Sequence, residues 1–270
     1  MLHVGVACAA SPSGGEVAEI VWKKLEPGLH LAHVAFEFPP NRASEKAGAR
    51  ASVSLLRIDP GRFVFTLHMA SEKGFIPLAE LAEKENLVAA TNAGMFQQDR
   101  LTSTGYLKNA THTNNAHIAA NLGAFFVAGS GKERLPSARL IDRHEGDWQS
   151  EIARYDIVMQ NYRMNAVGGE VLWKRRDRLH SMSVLSQDVQ GRIYFIFCPD
   201  MVQGTDFAAA LLALPLQLRT LMYLEGGSES ALLVRTGGVA KVETGLPLWG
   251  GGSGILLPNV LGLRRRAAGM

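Results

Sequence analysis

Two short stretches of this 270-residue chain carry the residue types that chemistry needs. The first is Tyr223-Leu224-Glu225-Gly226-Gly227-Ser228-Glu229-Ser230. An apolar run that ends in a carboxylate reads as a buried strand holding Glu225 rigidly. Gly226 and Gly227 carry no side chain, so their backbone N–H groups can approach an anionic ligand closely. Ser228 and Ser230 add hydroxyl donors. The same pattern also fits a tight turn whose acidic residue bonds the backbone. The second stretch is Thr91-Asn92-Ala93-Gly94-Met95-Phe96-Gln97-Gln98-Asp99, again a strand-like run breaking at a polar residue and a glycine. Asn92 can donate and accept at once, which suits sugar hydroxyls, and Asp99 offers a second carboxylate. A capped loop around a core Phe96 is the competing reading.

Three weaker patterns stand beside these. His180-Ser181-Met182-Ser183 follows the basic Lys174–Arg178 run, and a lone histidine there is more often structural or solvated than catalytic. His112 and His117 sit among Asn109, Asn114, Asn115 and Asn121. Their spacing of five does not put them on one helix face, no acidic residue is close, and no metal is expected. Gly226-Gly227-Ser228-Glu229-Ser230 nearly matches the G-x-S-x-G elbow of serine hydrolases, but its last glycine is a serine. In that fold the histidine follows the serine, and no histidine follows His180 here.

Bulk composition bounds the rest. The hydrophobic fraction is 47% and the charged fraction 20%, so a sizeable core is expected. A formal net charge of +3 does not argue for nucleic acid. The two dense basic runs, Lys174-Arg175-Arg176 and Arg264-Arg265-Arg266, read as a solvated edge and a frayed tail. Cys8 and Cys198 are too few for a disulfide framework or a zinc site, and Cys198 is expected as a buried thiol. No stretch has the roughly 20 apolar residues of a membrane helix. Leu2–Ala10 followed by Ser11-Pro12-Ser13-Gly14-Gly15 resembles the end of a secretory signal, which predicts a periplasmic or secreted protein; a cytoplasmic leader is the alternative. Residues 1–15 are thus expected as a signal remnant or disordered leader, 16–263 as one domain and 264–270 as a basic tail.

The elements that must position these residues follow from hydrophobic period. Val53–Ile58, a turn at Asp59-Pro60-Gly61, and alternating Phe63, Phe65, Leu67 and Met69 predict two strands paired as a hairpin. Pro77–Glu85 predicts a helix burying Leu78, Leu81 and Ala82. Leu87–Thr91, Gly123–Val127 and Ile157–Gln160 predict buried strands. Ser183–Ser186 and Arg192–Cys198 predict a turn-linked pair. Thr205 is the expected cap of a helix over Asp206–Leu214. Leu221–Leu224 leads into Glu225, and Thr236-Gly237-Gly238 marks a hairpin. The order predicts an α+β single domain with one mixed, mostly antiparallel sheet flanked by a few helices.

Taken together, the segments resemble the phosphodiester glycosidase family, over roughly Ala51 to Leu257. Asn92-Ala93-Gly94-Met95-Phe96 is similar to its Asn-Gly/Ala-Gly-Phe/Met-Phe/Tyr, and Asn121–Phe126 to its Gly-Val-Phe segment. Gln160-Asn161-Tyr162-Arg163-Met164, with Gly168-Gly169, is similar to its Gln-Ser-Gly-Pro-Met-Leu and turn. Tyr223–Ser230 is similar to its Asn/Tyr-Leu-Asp-Gly-Gly-Gly-Ser-Ser. The motifs come in family order, and the Asn-Ala-Gly-Met form resembles the bacterial branch. Three departures stand out: Glu225 replaces the family aspartate, Glu229 interrupts the glycine-serine stretch, and His180 stands where the family has an arginine. An arginine would hold phosphate bidentately at any pH, whereas a histidine is a weaker, pH-dependent substitute.

The resemblance implies hydrolysis of a sugar-1-phosphodiester or related glycosidic linkage, with carbohydrate or sugar phosphate as ligand and no cofactor. It implies Glu225 as the carboxylate at the anomeric centre, with Asp99 as a second choice. Asn92 and Gly94 would contact sugar, His180 would face phosphate, and Gly226, Gly227, Ser228 and Ser230 would hold a phosphate or sugar oxygen. The departures also leave a second implication open, a catalytically silent glycan-binding envelope protein on the same scaffold.

Overall fold

The computed structural model describes residues 7–8, 19–38, 49–129, 135–176, 178–246 and 254–266. The expected export segment lies outside these, except Ala7 and Cys8, which pair in parallel with Val34 and Ala35.

Three sheets, rather than one, form the body. The first runs Ala7–Cys8, Leu29–Phe38, Ala49–Ile58, Ile193–Val202, His180–Asp188, Leu218–Gly226, with Lys23–Glu26 beside Leu29–Phe38. The second runs Ala138–Asp142, Ala124–Ala128, Ile157–Asn161, Leu107–Lys108, Thr113–Asn115. The third runs Val239–Thr244, Ala231–Thr236, Ala89–Asn92, Asn259–Arg265, Phe63–Met69. Every pairing except that of Ala7–Cys8 is antiparallel among the described residues. Four short α-helices lie around them among the described residues: Ala70–Lys73, Leu78–Lys84, Trp148–Ile152 and Gly204–Leu212.

The expected hairpin around Asp59-Pro60-Gly61 is replaced by a sheet-to-sheet crossing. Ala49–Ile58 pairs with Leu29–Phe38 and Ile193–Val202, while Phe63–Met69 pairs with Asn259–Arg265. Leu56, Ile58, Phe63, Phe65 and Leu67 all enter one core cluster, so the two strands meet face to face instead of edge to edge. A period of two specifies which face is buried but names no hydrogen-bonding partner.

Phe65 is the hinge of that core. Its ring meets Phe126 of the second sheet edge-on at 5.2 Å and Phe195 of the first at 6.2 Å. Each such pair contributes roughly 0.5–1.5 kcal/mol beyond area burial. One core cluster draws residues from all three sheets.

Other expectations meet their residues closely. The helix Leu78–Lys84 starts after Pro77 and buries Leu78, Leu81 and Ala82. The Thr236-Gly237-Gly238 hairpin closes with φ of 61° at Gly237 and 73° at Gly238, the left-handed pair that a two-residue turn of this hand requires. Cys198 is buried, and burial pushes its thiol up to about 12. The Gly204–Leu212 helix is capped by Gln203, whose side chain takes the Asp206 N–H at 2.9 Å, rather than by Thr205. The Thr205 hydroxyl is occupied with the Trp173 carbonyl at 3.2 Å. Arg264 and Arg265 end a strand instead of a frayed tail, and Arg265 Nε bonds Glu26 at 2.6 Å. No helix among the described residues is long and apolar enough to cross a membrane.

Candidate functional site

Glu225 stands one residue from the end of the Leu218–Gly226 strand. This strand pairs with His180–Asp188 on one side, and on the other it is covered by 162–165, through Tyr223 N to Tyr162 O at 3.0 Å and Met164 N to Leu221 O at 2.9 Å. The pairing slips at this point: Ser183 opposes Glu225 while Val184 opposes Tyr223, and a second irregularity follows His180. Such bulges re-aim side chains at the end of a sheet.

The Glu225 carboxyl is held in low dielectric. Burial pushes it up to about 7, and the neighbouring Glu229 charge adds to the push. The Gly226 N–H, which donates to Oε1 at 2.9 Å, and the Tyr223 phenol pull the other way. Burial and the Glu225 carboxyl raise the Tyr223 phenol in turn, so it stays protonated as a donor.

His180, Tyr223 and Gly226 are packed against one another. A Cβ on Gly226 would collide with the His180 ring, and would lie 2.7 Å from the Tyr223 hydroxyl and 2.8 Å from the Ser181 carbonyl. Burial and the nearby Arg178 charge lower the His180 imidazole. At neutral pH it is therefore an uncharged ring beside Tyr223, with centroids 6.2 Å apart, and no standing cation. Trp173 meets Tyr223 at 5.1 Å and Tyr162 at 6.4 Å, both edge-on, so an aromatic wall extends from the carboxyl group. Trp173 is fixed by its indole N–H to the Arg163 carbonyl at 3.1 Å.

The turn after Gly226 is tied from below. Ser230 Oγ donates to the Gly227 carbonyl at 2.7 Å, Ser181 Oγ donates to the same carbonyl at 3.1 Å, and the two hydroxyl oxygens lie 3.3 Å apart. Gly227 has φ 72°, which favours glycine. Ser228 Oγ donates to Glu229 at 2.6 Å. Ser230 is buried, and its hydroxyl is spent on the turn.

The second expected stretch reaches this turn from the third sheet. Asn92 is buried, and its Oδ1 takes the Ala231 N–H at 3.2 Å, one residue past Ser230. Its Nδ2 finds no partner among the described residues. Gly94, at φ 84°, backs against Asn161 Nδ2, which donates to the Leu224 carbonyl at 3.0 Å. Asn161 thus couples the two stretches through the residue preceding Glu225. Asp99 is placed differently. Fully exposed, it accepts the Leu101 and Thr102 N–H groups at 2.9 Å each and the Thr102 hydroxyl at 2.5 Å, and these bonds hold its carboxyl below the usual range.

The structure therefore gathers Glu225, Gly226, Gly227, Ser228, Ser230, His180, Asn92 and Gly94 around one turn, and leaves the Asp99 carboxylate in its own loop. Sequence reasoning missed the aromatic wall. Tyr223 lay two residues from Glu225 and could have been found, but Trp173 joins only through long-range packing. Arg100 was missed as well: at φ 57° it reaches from the Asp99 loop to within 3.6 Å of Glu229.

The family model described as phosphodiester glycosidase matches residues 85–263. No protein of curated function matches the sequence. Among solved structures, the zebrafish N-acetylglucosamine-1-phosphodiester alpha-N-acetylglucosaminidase catalytic domain, auto-inhibited by its pro-peptide, superposes with a TM-score of 0.61 at 10% identity, over 96% of this chain and 87% of that one. A hypothetical protein from Synechocystis gives 0.62 at 11% identity, over 93% of this chain and 64% of its own length. These likenesses are of fold.

Proposed function

Because this chain belongs to the phosphodiester glycosidase family, we propose that it is a hydrolase cleaving a sugar-1-phosphodiester or a related glycosidic linkage, with Glu225 as its principal carboxylate. The observation that carries the reading is the Glu225 carboxyl itself, pushed up to about 7 by burial at a strand end beside an aromatic wall. A carboxyl group near 7 can hold a proton at neutral pH and release it to a leaving oxygen, which is the role of a glycosidase acid.

In this reading the Glu225 proton passes to the glycosidic oxygen as the bond to the anomeric carbon breaks, and water completes the sugar. The Tyr223 phenol keeps the carboxyl oriented. Tyr162 and Trp173, partly exposed and backed by the buried Tyr223, offer apolar surface for a sugar ring. The Asn92 amide donor, unpaired among the described residues, serves a sugar or phosphate oxygen, Gly227 gives close backbone approach, and the Ser228 hydroxyl serves such an oxygen only once its bond to Glu229 is released. Gly226 N–H already bonds Glu225, so its part is to orient the carboxyl and to make room for His180. Ser230 supports the turn, and Gly94 lets Asn161 reach Leu224. Asp99 shapes its loop and stands outside the chemistry. His180, as a neutral ring, packs the wall and can donate one hydrogen bond, but adds no charge.

The test is an assay of the purified protein against chromogenic glycosides and sugar-1-phosphodiesters. Release of free sugar supports the reading. A folded protein that releases none from any member, while binding sugars, contradicts it and favours the glycan-binding alternative.

A further inference from the structure

The carboxylate of Glu229 sits in a cradle built by the chain itself. Ser228 Oγ donates to its Oε2 at 2.6 Å, and Arg100 Nη2 lies 3.6 Å from its Oε1. Arg100 is delivered there by a shaped loop. Phe96 and Ser103 form an antiparallel bridge, Gln97 N bonds Thr102 O at 2.7 Å, and Arg100 N bonds Gln97 O at 2.9 Å. Asp99 holds the tip through Leu101 and Thr102, which leaves Arg100 in the left-handed region with its guanidinium over the Phe96 ring at 5.7 Å. A guanidinium and a hydroxyl are the donors that a phosphate recruits. Here the hydroxyl is bonded to, and the half-exposed guanidinium paired with, a carboxylate of the chain itself, four residues beyond Glu225.

We propose that Glu229 is a specificity-determining residue, which fills the cradle suited to an anion and makes the site select an uncharged glycoside over a sugar-1-phosphodiester. The proposal rests on the reading of Glu225 as the reacting carboxyl. A phosphodiester entering between Glu225 and Ser228 must displace Glu229 from Arg100 and then lie beside a carboxylate. An uncharged glycoside meets no such repulsion. The chemistry agrees. An alcohol leaves poorly as an alkoxide and needs the Glu225 proton as its bond to the anomeric carbon breaks. Water then supplies the hydroxyl of the sugar and returns a proton to Glu225. A phosphate leaves as a stable anion and needs no such acid. Discrimination by a placed repulsive charge is a general device of selective sites. His180, packed against Tyr223 and Gly226 and lowered by burial, supplies no charge to offset that repulsion.

The experiment compares matched probes: methyl glycosides and methyl sugar-1-phosphodiesters of glucose and N-acetylglucosamine. Binding to the full chain is read by calorimetry for the native protein, Glu229→Ser, and Glu229→Ser combined with Arg100→Met. The native protein is expected to bind the uncharged member at least about tenfold more tightly, a usual scale for a like charge at a recognition site. Glu229→Ser is expected to shift that ratio about tenfold or more toward the phosphodiester, through a gain that salt weakens and Arg100→Met removes. A native preference for the phosphodiester overturns the proposal. So does a ratio unmoved by Glu229→Ser, or failure of the folded protein to bind either member. Binding needs no turnover, so a loss of the hydrolase reading, seen as no sugar release or as full activity in Glu225→Gln, remains distinguishable from a loss of this one.

Discussion

The carboxylate of Glu225 turns back on its own chain and accepts the N–H of Gly226 at 2.9 Å, while the space a side chain would need on Gly226 is filled by His180 and Tyr223. One glycine thus sets both the orientation of the carboxyl group and the depth at which it is buried. Gly226→Ala tests this directly. Its φ of −134° is open to any residue, so the effect is purely steric. The variant should lose about 1–3 kcal/mol of stability, as overpacked sites do, together with most activity. Denaturant melts beside rate measurements check it; a variant with native stability and native rate shows that the packing has slack.

The raised Glu225 carboxyl predicts a pH profile. A group that must donate its proton stops working as it ionises, so the rate should fall as pH rises through about 7. Stability follows the same proton. Burial raises the folded-state value from 4.5, so the folded chain holds the proton more tightly than the unfolded one. That contribution is complete below about 4.5 and is lost as pH climbs through about 7, amounting to ~3 kcal/mol at most. Glu225→Gln removes the ionisation, so at pH 8 it should melt higher than the native protein and at pH 4.5 the two should agree. Equal melting at both pH values contradicts the burial assigned to Glu225.

How much of this was legible beforehand differs from residue to residue. The alternation of Phe63, Phe65, Leu67 and Met69 named a strand and its buried face, since both are local. It could not name Asn259–Arg265 as the partner, since pairing over that separation depends on the whole core. Glu225 and the glycines after it announced themselves because their types are unusual at a strand end. Asp99 has the right type but spends its oxygens on its own turn, a fate that adjacent Thr102 hints at without fixing. Trp173 and Arg100 carried no signal. Each gains its place from a contact with a residue far away in the chain or from a left-handed backbone angle.

Phe65 should be the costliest single truncation of the core. It joins Phe126 and Phe195 across three sheets, so Phe65→Ala removes packing at all three and should cost about 3–5 kcal/mol. Urea unfolding measures it. A loss under about 1 kcal/mol would mean that the sheets do not share one core.

Asp142 and Arg163 form the best-buried ion pair near the site, at 2.6 Å, with 1% and 15% of their side chains exposed. Arg163 opposes Met222 in a bridge to the Glu225 strand, so the pair braces that strand from outside. Arg163→Met strands the buried carboxylate and should cost about 3 kcal/mol or more, whereas replacing both partners by apolar residues of similar size should cost less. A double-mutant cycle by chemical denaturation separates these, and a cycle with no coupling removes the brace from the account.

The most direct measurement is the hydrolysis rate of Glu225→Gln beside the native protein, on whichever glycoside the native protein cleaves best. Gln keeps the size of the side chain and an oxygen for the Gly226 N–H, and removes the proton that is given up. A fall of more than about a hundredfold, with binding retained, is the result this account predicts. A variant turning over at near-native rate would contradict it and move the chemistry away from Glu225.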